Sequence, residues 1–148
     1  MSGPLVLIAD NDTAVSGLLT EVLVRCGLSV RHAFDGEAAR QMAREPLVRV
    51  LVCDLDMPRL SGIEVLESLG DLPVPPRAVV ISGYLDAAVQ ERLQALSYVC
   101  EILRKPFDLL EFAGKVHALA AGRSTLPATG PTLPARAPVE PILGATEQ

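Results

Sequence analysis

The chain has 148 residues, long enough to bury one sizeable core and short for two. Hydrophobic residues make up 49% of it and charged residues 21%, and no apolar run approaches a membrane span, which excludes an integral membrane protein and a wholly disordered one. A net charge of -5, with no stretch that gathers Lys and Arg, argues against direct nucleic-acid binding.

Leu5 to Ala9 is a continuous apolar run with no basic region before it and an acidic cluster after it. It reads as a buried strand and not as a secretion signal. Thr13 to Arg25 carries Val15, Leu18, Leu19, Val22 and Leu23 at helical spacing, with Asp12 at the N-cap position and Gly27 as a stop. Leu28 to Ala33 is a weaker strand, because Ser29, Arg31 and His32 interrupt its apolar residues, and an edge position suits it. A helix from Gly36 to Glu45 ends before Pro46, and Val48 to Cys53 is the next apolar run. The pattern repeats as helix Ser61 to Leu69, strand Ala78 to Ile81, helix Asp86 to Leu96, strand Val99 to Leu103 and helix Asp108 to Ala121. The last opens on a capping Asp, with Glu111 three residues later, and turns Leu109, Phe112, Ala113, Val116 and Ala120 inward.

Strand then helix, five times over, implies right-handed crossovers and one parallel α/β sheet with helices on both faces. From residue 122 the composition changes to five prolines without any period. The expected organisation is therefore one domain over residues 1–121 and a Pro/Ala-rich disordered tail or linker over 122–148. Cys26, Cys53 and Cys100 are odd in number, widely spaced and in apolar contexts, so they are expected to be reduced, buried thiols of a cytoplasmic chain. His32 and His117 are expected to be solvated, and Met57 to be a packing residue.

Ligands of an open parallel sheet bind outside the carboxyl ends of its strands. Those ends read Asp10-Asn11-Asp12, Asp54-Leu55-Asp56-Met57-Pro58, Ser82-Gly83 and Arg104-Lys105-Pro106-Phe107. Acids, a hydroxyl and a lysine converge on one edge. Such a set suits phosphoryl transfer: a carboxylate can attack phosphorus, a hard cation keeps neighbouring carboxylates ionised, and Lys and Ser supply donors to phosphoryl oxygens.

From Leu5 to Ala121 the sequence resembles the CheY-like receiver domain of two-component response regulators. The residues that carry the resemblance are Asp10 before Asn11, Asp54 in DLDMPRLSG with Pro58 and Gly62 at the family's offsets, Ser82 after AVVI, and Lys105-Pro106-Phe107. The resemblance implies a flavodoxin-like (βα)5 fold with strand order 2-1-3-4-5. It implies Asp54 as phosphoacceptor, Ser82 as switch hydroxyl, Lys105 as the cation on the phosphate, and a Mg2+ site formed by Asp10, Asn11, Asp54 and the backbone carbonyl of Asp56. It also implies a phosphohistidine donor on a sensor histidine kinase or phosphotransfer protein, a cis Lys105-Pro106 peptide, and a switch that is not an enzyme beyond its own phosphorylation and dephosphorylation.

Two residues depart from the family pattern. Asn11 stands where a second acid is usual, and Ile102 stands three before Lys105, where Tyr or Phe is usual; Tyr98 is offset from that place. With no output domain following in the sequence, a downstream protein partner is expected to read the switch, with homodimerisation on phosphorylation as a further expectation and no membrane contact. Two other readings stand beside this one: a degenerate receiver that binds partners without phosphorylation, favoured by Asn11 and Ile102, and a phosphohydrolase resembling the haloacid dehalogenases, favoured by the DLD at Asp54 to Asp56.

Overall fold

The apolar runs form five strands, β1 Leu5–Ala9, β2 Ser29–Ala33, β3 Val48–Asp54, β4 Arg77–Ser82 and β5 Val99–Arg104, joined by helices α1 Thr13–Arg25, α2 Gly36–Met42, α3 Gly62–Ser68, α4 Ala87–Gln94 and α5 Leu109–Ala120. These come from a computed structural model that describes residues 4–57 and 61–122. Pro58 and the expected tail from 123 onward lie outside the described residues. All strand pairs are parallel and the order is β2-β1-β3-β4-β5, as expected, with the polar β2 at an edge.

Alternation along each strand divides the core in two. Leu7, Ala9, Leu51, Cys53, Ala78 and Val80 point to the face covered by α2, α3 and α4. Val6, Ile8, Val50, Val52, Val79 and Ile81 point to the other, where α1 and α5 supply Leu19, Leu23, Phe112, Ala113 and Val116. Both faces of the central strands are thus dry, which is why these strands read as unbroken apolar runs.

The first helix has the bounds its periodicity predicts, Thr13–Arg25, and the other four are shorter. Ser61, Asp86 and Asp108 are N-caps outside the helical turns, and α2 and α4 end in tight turns in which Glu45 and Leu96 bond back to Met42 and Leu93. Asp12 caps α1 by accepting from the amides of Ala14 and Val15 at 3.0 and 3.2 Å. Asp12→Ala is expected to cost about 1 kcal/mol of stability, read as a lower urea midpoint at constant slope.

Several side chains depart from expectation. The buried stripe of α1 runs through Ser16, Leu19 and Leu23, so Leu18 faces out at 55% exposure. Leu109 is on the inner stripe of α5 by angle, but it stands in the first turn and is exposed, and Leu119 completes the stripe instead. Cys26 caps the end of α1 and is exposed, while Cys53 is buried and Cys100 partly so. His32 is only partly exposed to solvent: its Nε2 lies 2.7 Å from the Thr20 hydroxyl, and Phe34 stacks on its ring. The hydroxyl of Thr20 donates to the carbonyl of Ser16, so the imidazole nitrogen is the donor to Thr20. His117 is exposed and Met57 packs against the core, as the sequence suggests.

Candidate functional site

Strand register brings the polar edge together. Ala9 pairs with Cys53, so Asp10, one residue further, stands level with Asp54 at the end of β3. Asp54 pairs with Ile81, which places Ser82 one step beyond it on β4, and Ser82 pairs with Arg104, the neighbour of Lys105. Asp10, Asp54 and Ser82 are the buried polar residues of this edge, at 2%, 3% and 1% exposure, although charged groups are seldom buried unless something pairs with them.

Asp54 has its partners. One carboxylate oxygen accepts from the amide of Asp56 at 2.9 Å and the other from Lys105 Nζ at 2.9 Å. The Lys105 amide donates to the carbonyl of Ser82 at 2.9 Å, and the peptide from Lys105 to Pro106 is cis. Burial pulls its ammonium down, but the hydrogen bond to Asp54 and the charges of Asp54, Asp10 and Asp56 outweigh this and leave it above the ordinary range.

Asp10 is half satisfied. One oxygen accepts from the amide of Asp12 at 2.8 Å, whereas Oδ2 is buried without a partner. Burial, reinforced by the charge of Asp54, holds its carboxyl above the usual carboxylate range against the Asp12 hydrogen bond. A buried carboxylate oxygen with nothing to accept from is costly, and an oxygen-seeking cation relieves it. The donor set fits a hard divalent ion that keeps several waters: carboxylates from Asp10 and Asp54, the Asp56 carbonyl, and the amide oxygen of Asn11, an exposed residue. Among the described residues no three His, Cys, Asp or Glu side chains gather as a metal cage.

Ser82 is engaged by its own loop. Its hydroxyl donates to the carbonyl of Tyr84 at 2.6 Å and accepts the Tyr84 amide at 3.1 Å. Tyr84 itself is 74% exposed. The sequence pointed to Ser82 but not to this closed turn, for which no pattern in the chain is a signal.

Gly62 is a further part of the site. A Cβ there would stand 2.4 Å from the carbonyl oxygen of Asp54 and 2.6 Å from Leu55 Cα, so α3 starts directly against the backbone of the acid. Its amide donates to the carbonyl of Leu55 at 3.1 Å. Beneath Asp54, burial and the charges of Asp54 and Asp10 push the Cys53 thiol well up, so it is an inert packing group.

Ile102 is partly buried against the core. The hydroxyl of Tyr98 does not take the vacant aromatic role, since it donates to the carbonyl of Leu66 at 2.5 Å, where α3 ends. Across the neighbouring helix pair, Arg92 of α4 forks onto Glu67 of α3 at 2.9 and 2.6 Å.

Residues 6–117 match the family model described as response regulator receiver domain. The transcriptional regulatory protein PrrA of Mycobacterium leprae is 32% identical over 124 residues, which are 83% of this chain and 52% of that protein. This chain spans about half the length of the curated relatives it matches. The receiver domain of a Francisella response regulator superposes with a TM-score of 0.72 at 27% identity, covering 81% of this chain and 98% of that one. A response regulator from Burkholderia pseudomallei, solved with a phosphorylated aspartic acid, calcium ion and citrate, superposes with a TM-score of 0.65 at 25% identity, over 77% and 71% of the two chains.

Proposed function

The chain belongs to the response regulator receiver family, and on that premise we propose that Asp54 accepts a phosphoryl group from a phosphohistidine on a sensor kinase or phosphotransfer protein, with Mg2+ held by Asp10, Asn11, Asp54 and the Asp56 carbonyl. The observation that carries this reading is the buried Asp54 carboxylate bonded to Lys105 beside an Asp10 oxygen that lacks a partner. Receiver domains are phosphoacceptor switches and not enzymes of turnover. The family assignment also sets aside the phosphohydrolase reading.

In this mechanism a carboxylate oxygen of Asp54 attacks phosphorus as the bond from phosphorus to the donor imidazole breaks, giving an acyl phosphate and a neutral histidine. Held by these residues, Mg2+ would offset the negative charge on the phosphoryl oxygens. Lys105 transfers its contact from the carboxylate to a phosphoryl oxygen, and the Ser82 hydroxyl turns from the Tyr84 carbonyl to another. The turn at Tyr84 is thereby released, which is how the bond at Asp54 reaches α4. The relative with a phosphorylated aspartic acid and a calcium ion supports both halves of the proposal, acyl phosphate and divalent cation.

A downstream protein would read that change, and phosphorylation-dependent pairing of two copies is one form it could take. No described helix is long and apolar enough to cross a membrane, which accords with the cytoplasmic setting we propose. Relatives named as transcriptional regulators match this chain over only about half of their own length, so our expectation of no nucleic-acid contact is confined to the acidic receiver residues themselves.

The test is phosphate incorporation from a small acyl-phosphate donor, followed by intact mass. A base-labile adduct is expected that needs Mg2+ and is lost in Asp54→Asn. If the unaltered chain takes up no phosphate at any Mg2+ concentration, the second reading, a receiver that binds partners without phosphorylation, replaces this one; the neutral Asn11 is the observation in its favour.

A further inference from the structure

At the end of the sheet away from the acids, the turns leading into β3 and β4 expose apolar surface that the receiver chemistry does not use. Val74 is 86% exposed and Leu47, between Pro46 and Val48, is 77% exposed. Two adjoining hollows of about 250 and 350 Å3 lie here, sharing Pro46, Val48, Val74 and Pro76 as walls. The second ends at Leu119 and Gly122, where α5 stops. The arginines around this trough already have work: Arg44 donates to the Ser68 carbonyl and to Asp71, Arg49 to the Ala120 carbonyl and Arg77 to the Leu119 carbonyl. These bonds tie the arginines to the fold, and the walls common to both hollows, Pro46, Val48, Val74 and Pro76, offer an occupant apolar contact.

We propose that the trough is the docking site for this chain's own segment Ser124 to Ala135. Gly122 lines the trough and has φ +85, so the chain turns out of α5 at its rim. Leu126 follows four residues later, a reach of at most about 14 Å. The sequence Thr-Leu-Pro-Ala occurs at 125–128 and again at 132–135, and no charged residue stands between Arg123 and Arg136. Two Leu-Pro units in an uncharged stretch match two apolar hollows walled by proline, with Gly130-Pro131 between them as a turn. The prolines lower the entropy lost on ordering, and the tether makes the encounter intramolecular, at an effective concentration near the millimolar range. Leu126 fills the hollow beside Gly122, and Leu133 fills the one toward Leu72.

A double-mutant cycle on the full chain tests this. Val74→Ser removes the most exposed apolar wall of the trough and Leu47→Ser the exposed side chain between the wall residues Pro46 and Val48, and Leu126→Ser with Leu133→Ser removes the occupant. Each pair is expected to lower Tm by about 3 °C, and all four substitutions together by no more than either pair. Amides of Glu45, Leu47, Val48, Arg49, Val74 and Arg77 should exchange faster in the segment variant. Additive effects, or a segment variant identical to the parent in Tm and exchange, would overturn the proposal. So would a Tm that rises with protein concentration alongside a dimer in sedimentation, since the occupant would then be a second copy.

Discussion

Gly62→Ala is expected to cost the domain about 3 kcal/mol or more of unfolding free energy, a large share of the roughly 5–15 kcal/mol that a domain has. The atoms in the way are the Asp54 carbonyl oxygen at 2.4 Å and Leu55 Cα at 2.6 Å. Both are backbone, so no rotamer change relieves the contact. Either the end of β3 or the start of α3 must move, and both are fixed. Asp54 is paired to Ile81 in the sheet, while α3 is anchored by buried Ile63, Val65 and Leu66 and by a reciprocal cap between Ser61 and Glu64. Urea unfolding should show a lower midpoint at unchanged slope. Because the carbonyl that is pushed belongs to the proposed phosphoacceptor, phosphate incorporation by the folded fraction should fall as well. Gly70→Ala is the control: a Cβ there meets only the Tyr98 hydroxyl, at 3.6 Å, and the change should stay within about 0.5 kcal/mol. Equal effects at the two glycines would refute the close-approach argument.

How much of this was legible in the sequence follows from the range of each interaction. Runs such as Val48 to Cys53 announce strands covered on both faces, and the rule that strand ends carry the site then gathers Asp10, Asp54, Ser82 and Lys105 without any coordinate. Helix stripes are less certain, because periodicity gives a face but not the centre of that face. Ser16 lies at the centre of the buried stripe of α1, with its hydroxyl bonded to the Thr13 carbonyl, and this rotates Leu18 outward. His32 looked solvated because its partner, Thr20, is on another element. Contacts to backbone atoms far along the chain leave no mark in composition at all, as with Tyr98 on the Leu66 carbonyl. The offset of Gly62 from Asp54 was visible, but the reason for a glycine needed the position of the Asp54 carbonyl.

Asn11→Asp is expected to tighten Mg2+ binding about thirtyfold. A unit charge at about 4 Å from another is worth roughly 4 kcal/mol at an effective dielectric near 20, and the ion carries two charges. That figure is a ceiling, because Asn11 is exposed and solvent screens it. About 2 kcal/mol is a reasonable remainder, which is the thirtyfold gain. The same substitution has the opposite effect without the ion. A third carboxylate would then stand beside Asp10, whose Oδ2 is already buried without a partner, and beside Asp54. The metal-free variant should accordingly melt below the parent. Tm followed against Mg2+ concentration reads both effects, since an ion that binds only the folded state stabilises it by RT ln(1 + [L]/Kd). The two curves should start in one order and cross as Mg2+ rises, and phosphate incorporation should saturate at lower Mg2+ in the variant. Asn11→Ala separates charge from the loss of the amide oxygen, and its affinity should change by less than tenfold. Parallel melting curves for Asn11→Asp and the parent would mean that position 11 does not face the ion, and that Asp10 and Asp54 hold it without help from Asn11.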